Sequence, residues 1–135
     1  VEECARAVLD YEEAMYGHEF HRAVEVAGDL IRETNQRWAR AKPFADECDP
    51  ALRRQALVDA FHQVRTAIAL MHPIAPEGAE MVREYLRLGA EFWRWDRIFE
   101  PVYASMPSPA EHRLRFLEPR VDFFKKHPSQ LAQES

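Results

Sequence analysis

Residues 50–71 read PALRRQALVDAFHQVRTAIALM, and the spacing of their apolar side chains decides the fold class. Leu57, Phe61, Val64, Ile68 and Met71 recur in steps of three and four, which places them on one side of an α-helix. Asp49 offers a carboxylate to the first free N–H groups, and Pro50 fills the first helical position, where a missing N–H costs nothing. The spacing therefore predicts a helix over 50–71. A face of this kind must be buried against another helix or a sheet.

The flanking sequence supplies helices. Upstream, over 19–41, Phe20, Val24, Ala27 and Ile31 form a second stripe, with Ala23 and Leu30 beside them. The same steps reach Asn35 and Trp38. A polar Asn35 on a buried stripe must find hydrogen-bond partners or cost about 1–3 kcal/mol. Pro43 stops this helix, because it lacks an N–H and biases Lys42 away from helical geometry. A first helix is predicted over 1–16, with Val1, Cys4, Val8, Tyr11 and Met15 on one face and Gly17 as its stop. Downstream, Pro76 opens a fourth helix to about Leu88, with Met81, Val82, Tyr85 and Leu86 inward. After Gly89 the periodicity is lost. Dense aromatics and Pro101, Pro107, Pro109 and Pro119 read as an irregular tail over 90–135 lying across the helices. No strand pairing or repeat is apparent. The expectation is one all-α domain over 1–135, an up-down helical bundle with an irregular C-terminal tail packed on it.

Composition limits the function. The chain has 135 residues, a length that suits one domain. It contains no apolar run near the roughly 20 residues needed to span a bilayer. The start is acidic (Glu2, Glu3) and unlike a signal peptide, so a cytoplasmic setting is expected. Cys4 and Cys48 are far apart, which suits packing thiols rather than a disulfide framework or zinc site. The formal charge of −5 gives no global attraction for nucleic acid. The charge is uneven, however. Residues 1–35 hold nine acids against three arginines, whereas residues 36–42 hold Arg37, Arg40 and Lys42 and no acid.

Catalytic patterns are absent. His18 and His21 read as a helix-surface pair, since His-Glu-Phe-His is not the spacing of zinc proteases. Adjacent carboxylates such as Glu12 and Glu13 diverge on a helix and form no dyad. No glycine-rich phosphate loop or serine nucleophile elbow is present, so no metal or other cofactor is expected. What remains is Arg37-Trp38-Ala39-Arg40-Ala41-Lys42-Pro43-Phe44, cations interleaved with aromatics at the end of a helix. Single-stranded RNA is read by stacking unpaired bases on such rings while basic groups hold phosphates. The plain alternatives are a core role for Trp38 and a loop anchor for Phe44.

Three short motifs then carry a resemblance. Asn35 followed by Pro43-Phe44 resembles an Asn-x-Tyr-x(5)-Pro-Trp stretch in the C-terminal helical domain of methionyl-tRNA synthetases. His72-Pro73-Ile74-Ala75-Pro76-Glu77 resembles that family's Ser-Pro-Phe-x-Pro-Glu bend, and Phe116-Leu117-Glu118-Pro119-Arg120-Val121-Asp122 its Phe-Pro-Arg-Ile-Asp tail. The resemblance implies an α-helical bundle receiving the anticodon loop of tRNA-Met. Phe44 stands where the family has a stacking Trp, and Arg37 where it has a Tyr. Trp38, Arg40 and Lys42 complete the expected tRNA-binding set, and Asn35 becomes a structural residue tying helices together. The family's HIGH-type and KMSKS-type signatures are missing, as is its zinc insertion. ATP and methionine would bind a catalytic domain outside this chain, which is not itself expected to be an enzyme. The family's first helix, with its Gly-Asn-Leu-Val-Asn-Arg pattern, is also missing, so the chain reads as a fragment beginning at the second helix. An apolar face left by that helix would favour self-association. The competing expectations are a repurposed helical domain that binds protein and, more remotely, an enzyme using His18 and His21.

Overall fold

The computed structural model describes residues 2–100, and the all-α expectation holds over that range. The elements are α1 (Glu2–Tyr16), α2 (Phe20–Ala41), α3 (Pro50–Met71) and α4 (Pro76–Tyr85), followed by two 3₁₀ turns over Ala90–Trp93 and Trp95–Arg97. No strand occurs among the described residues. Helix α2 packs against both α1 and α3, α1 also touches α3, and α4 docks on α3. The reading of 101–135 as an irregular tail lies outside the described residues.

The helix ends follow local chemistry. The Asp49 carboxylate accepts from the N–H groups of Ala51 (3.0 Å) and Leu52 (3.1 Å), with Pro50 in the first turn of α3. Helix α2 ends at Lys42, which turns left-handed (φ 43°) directly before Pro43. Helix α1 ends at Tyr16, directly before Gly17 as predicted, although the left-handed residue falls one position later. His18 takes the left-handed position (φ 57°), and Glu19 N–H closes on the Ala14 carbonyl at 2.8 Å. His18 is thus a cap residue outside α2 and does not share a helix face with His21. Helix α4 is shorter than predicted. Arg87 turns left-handed (φ 57°), and Leu88 N–H closes on the Arg83 carbonyl.

The core corrects the predicted faces. Along α1, the expected Cys4, Val8 and Tyr11 are buried, joined by Ala14. On α2, the buried line is Ala23, Ala27, Leu30 and Thr34, while Phe20 and Val24 are exposed. Asn35 is exposed too, and among the described residues no hydrogen bond of its side chain ties helices together. The buried polar group there is Thr34, whose hydroxyl donates to the Leu30 carbonyl at 2.8 Å. On α3, Gln63, Thr66, Ala67 and Leu70 face inward, and Leu57, Phe61 and Val64 are partly exposed. The reason is the seam of small residues. Ala14, Ala23, Ala27 and Ala67 pack in one cluster, and small side chains let helix backbones approach. Tyr11, Leu30 and Leu70 fill the space beside the alanines, while Phe20, Val24, Leu57 and Phe61 lie outside the cluster.

A second cluster, Ile68, Ala79, Leu88 and Phe92, holds α4 and the first 3₁₀ turn. Arg65, only 2% exposed, lies with its guanidinium 5.0 Å from the Phe92 ring centroid and donates to the Arg97 carbonyl at 2.9 Å. Burial pushes its pKa down, partly offset by Glu100. Beside it, His72 stacks on Trp93 with centroids 4.0 Å apart. Glu80 accepts from Arg83 (2.8 Å) and from the Trp93 indole, latching α4 to the turn after it. The second 3₁₀ turn reaches back to α1, where the Trp95 indole donates to Glu12 at 2.6 Å.

Two outcomes test this account. Ala27→Leu should overpack the seam and cost about 1–3 kcal/mol, whereas Val58→Ala on the open face should change stability by less than about 0.5 kcal/mol, both read by urea unfolding. The hydrogen bond from Arg83, then that from Trp93, hold the Glu80 carboxyl below its ordinary value of 4.5. A depressed carboxylate stabilises the fold above that ordinary value and loses its contribution as pH falls through the lower folded value. Glu80→Gln should therefore lower stability by about 1 kcal/mol at neutral pH and make the acid limb below pH 4.5 shallower.

Candidate nucleic-acid interface

The last turns of α2 and the loop to α3 carry the residues singled out by their chemistry. The loop is held in place on both sides. Ala45 N–H reaches the Lys42 carbonyl at 2.9 Å, and Cys48 N–H reaches the Ala45 carbonyl at 3.1 Å. From α3, the Arg53 guanidinium donates to the Ala45 carbonyl at 2.8 Å. Pro43 is buried within this turn, and the next side chain, Phe44, is 68% exposed. The ring is therefore offered outward on a braced loop, and it does not anchor the loop into the core.

The cations differ in their availability. Arg37 pairs with Glu3 of α1, which neutralises it and fixes its direction. Arg40 and Lys42 are exposed and have no salt bridge among the described residues. Trp38 is neither core nor free. It is 37% exposed and stands as a wall between two cavities on either side of the α2–α3 contact.

The first cavity, about 390 Å³, is apolar: Leu57, Phe61, Val64 and Ile68 of α3 face Val82, Leu86 and Phe92 across it, and Asn35 lies at its edge. The second, about 550 Å³, mixes polar and apolar side chains. Arg37, Trp38 and Arg40 of α2 face Leu52, Gln55, Asp59 and Gln63 of α3. The fold thus brings Arg37, Trp38 and Arg40 together, and leaves Lys42 and Phe44 beyond the cavity on the loop that follows. Sequence reasoning missed Gln55, Asp59 and Gln63. Their spacing of four would have aligned them on one helix side, but the apolar stripe beside them dominated the pattern.

No family model matches this chain, and neither a curated protein nor a solved structure does so. Among the described residues, no helix is long and apolar enough to cross a membrane.

Proposed function

We propose that this chain is a tRNA anticodon-binding domain of a methionyl-tRNA-synthetase-like protein, working in the cytoplasm on an up-down bundle of four helices. One observation carries the reading. The Phe44 ring is solvent-facing, and Arg40 and Lys42, which precede it by four and two residues, have no acid partner among the described residues. A flat apolar ring beside unneutralised cations is what an unpaired base and its phosphate require. The acidic remainder of the surface opposes non-specific RNA binding, so attraction is confined to this end of the molecule. The motifs around Asn35, Pro43-Phe44 and 72–77 support the synthetase-like assignment. In this reading ATP and methionine belong to a separate catalytic domain, and this domain supplies tRNA contact alone.

The test is titration of the full chain with a tRNA-Met anticodon stem-loop at low salt. Loss of one stacked base costs about 1–3 kcal/mol, so Phe44→Ala should weaken binding about 5- to 150-fold. Tyr16→Ala is the control, an exposed ring at the far end of the 22-residue α2, about 33 Å away. Arg40→Gln should weaken binding to all stem-loops alike and lower the salt slope by about 1. Equal effects of the Phe44 and Tyr16 substitutions would remove the stacking role.

A second reading, a helical domain that binds protein, is favoured by the apolar cavity. Leu57, Phe61 and Val64 stay partly exposed on the middle of α3, a patch suited to a second copy of the chain. Sedimentation should then show a concentration-dependent dimer that Phe61→Lys abolishes. A strict monomer across micromolar to millimolar concentration would leave this face without that role.

A further inference from the structure

We propose that residues 89–100 act as a strap that opens as one unit while the four helices stay folded, and that its opening extends the apolar cavity beside Trp38 into a groove ending at the Arg65 guanidinium. Such a gate does not depend on the RNA reading above.

The strap is fastened by side chains. The backbone N–H groups of Phe92, Arg94, Arg97, Ile98 and Glu100 donate to the carbonyls of Gly89, Glu91, Arg94, Trp95 and Arg97, each within the strap itself. Among the described residues, no backbone hydrogen bond joins 89–100 to a helix. Bonds of this 3₁₀ type have poorer geometry than those of an α-helix. The fastenings are few. Phe92 is seated in the cluster with Ile68 and Ala79, and Ile98 in the cluster with Cys4, Val8 and Leu70. Three polar contacts accompany them, one to each of three helices. The Trp93 indole donates to Glu80 of α4, the Arg65 guanidinium of α3 to the Arg97 carbonyl, and the Trp95 indole to Glu12 of α1. A segment with few buried side chains and no backbone ladder to its neighbours opens at a lower free energy than the core. Its N-terminal end is already a bend, since Arg87 turns left-handed (φ 57°) just ahead of it.

Closure also carries a cost that opening removes. The Phe92 ring covers the Arg65 guanidinium, 5.0 Å from the centroid, and leaves that side chain 2% exposed. Burial lowers the Arg65 pKa, Glu100 of the strap offsets part of the effect, and Arg97 adds to it. An open strap returns the guanidinium to water. The same movement takes Phe92 out of the cavity wall, where it stands with Trp38, Phe61 and Val64. The open groove then has apolar walls and a cation at one end, the complement of a flat apolar anion.

The experiment is native-state hydrogen exchange of the full chain by NMR, with the dye anilinonaphthalene sulfonate as the probe. In wild type, the N–H groups of Phe92, Arg94, Arg97, Ile98 and Glu100 and the indoles of Trp93 and Trp95 should exchange through one common opening, faster than the amides of α1, α2 and α3. Trp95→Phe keeps a ring beside Tyr11 and removes the donor to Glu12. Losing one such bond should raise strap opening about 2- to 10-fold, at Phe92 as much as at Ile98, and leave the helix amides unchanged. The dye binds the open form, so its apparent affinity should tighten by the same factor. Saturating dye should in turn speed exchange of the wild-type strap amides, which needs no variant to fold. Faster exchange confined to the neighbours of Trp95, or wild-type strap amides as protected as those of α2, would overturn the strap. Opening as a unit with no dye bound, or with dye affinity unchanged in the variant, would overturn its role as a gate.

Discussion

The structure depends on the close approach of three helices along a seam of small side chains. Ala14, Ala23, Ala27 and Ala67 are almost fully buried, with Leu70 filling the space that remains. Close packing of this kind admits Leu30 and Leu70 but leaves Phe20, Val24, Leu57 and Phe61 on the flanks. Both cavities follow from that displacement. One is walled by the large apolar residues of α3, the other by the polar row beside them, and Trp38 separates the two.

Charge is distributed in step with this packing. Glu3 on α1 engages Arg37, so one of the three cations at the end of α2 is committed to holding helices together. Arg40 and Lys42 lie beyond it, exposed and without a salt bridge among the described residues. The loop that follows is braced by Arg53 and by the Asp49 cap, so Phe44 projects from a defined backbone. Ordering a ring before binding reduces the entropy lost when a base stacks on it. At the other end of α3, Arg65 is buried under Phe92 and bound to the Arg97 carbonyl, which ties the 3₁₀ turns to the helical core. Burial disfavours the charge there, Glu100 offsets part of that cost, and removing Arg65 would leave Phe92 and the Arg97 carbonyl without their shared partner.

Much of this was legible locally. The start of α3 follows from Asp49-Pro50, the end of α2 from Pro43, and the inward face of α1 from Cys4, Val8 and Tyr11, because capping and proline geometry act within one turn. The exposed Phe44 and its neighbouring cations were also readable, since a short polar stretch between two helices has to lie at the surface. The inward faces of α2 and α3 were not. Phe20, Val24, Leu57 and Phe61 carry the stronger periodic signal yet are exposed, whereas Ala27 of the same stripe is buried together with Ala23, Leu30 and Thr34 beside it. The polar row Gln55-Asp59-Gln63 was hidden for the same reason.

The sequence by itself determined the four helical segments, the stop of α2 and the start of α3, and that the basic aromatic stretch 37–44 lies at a helix-to-loop junction. Those are consequences of backbone hydrogen bonding and side-chain charge over a few residues. Only the tertiary structure decided which sides of α2 and α3 are inside, that Arg37 is neutralised by a residue thirty-four positions earlier, and that Trp38 borders both an apolar and a mixed cavity. Burial is a property of helix pairs, and how closely two helices approach depends on the smallest side chains of both, which no single stripe discloses.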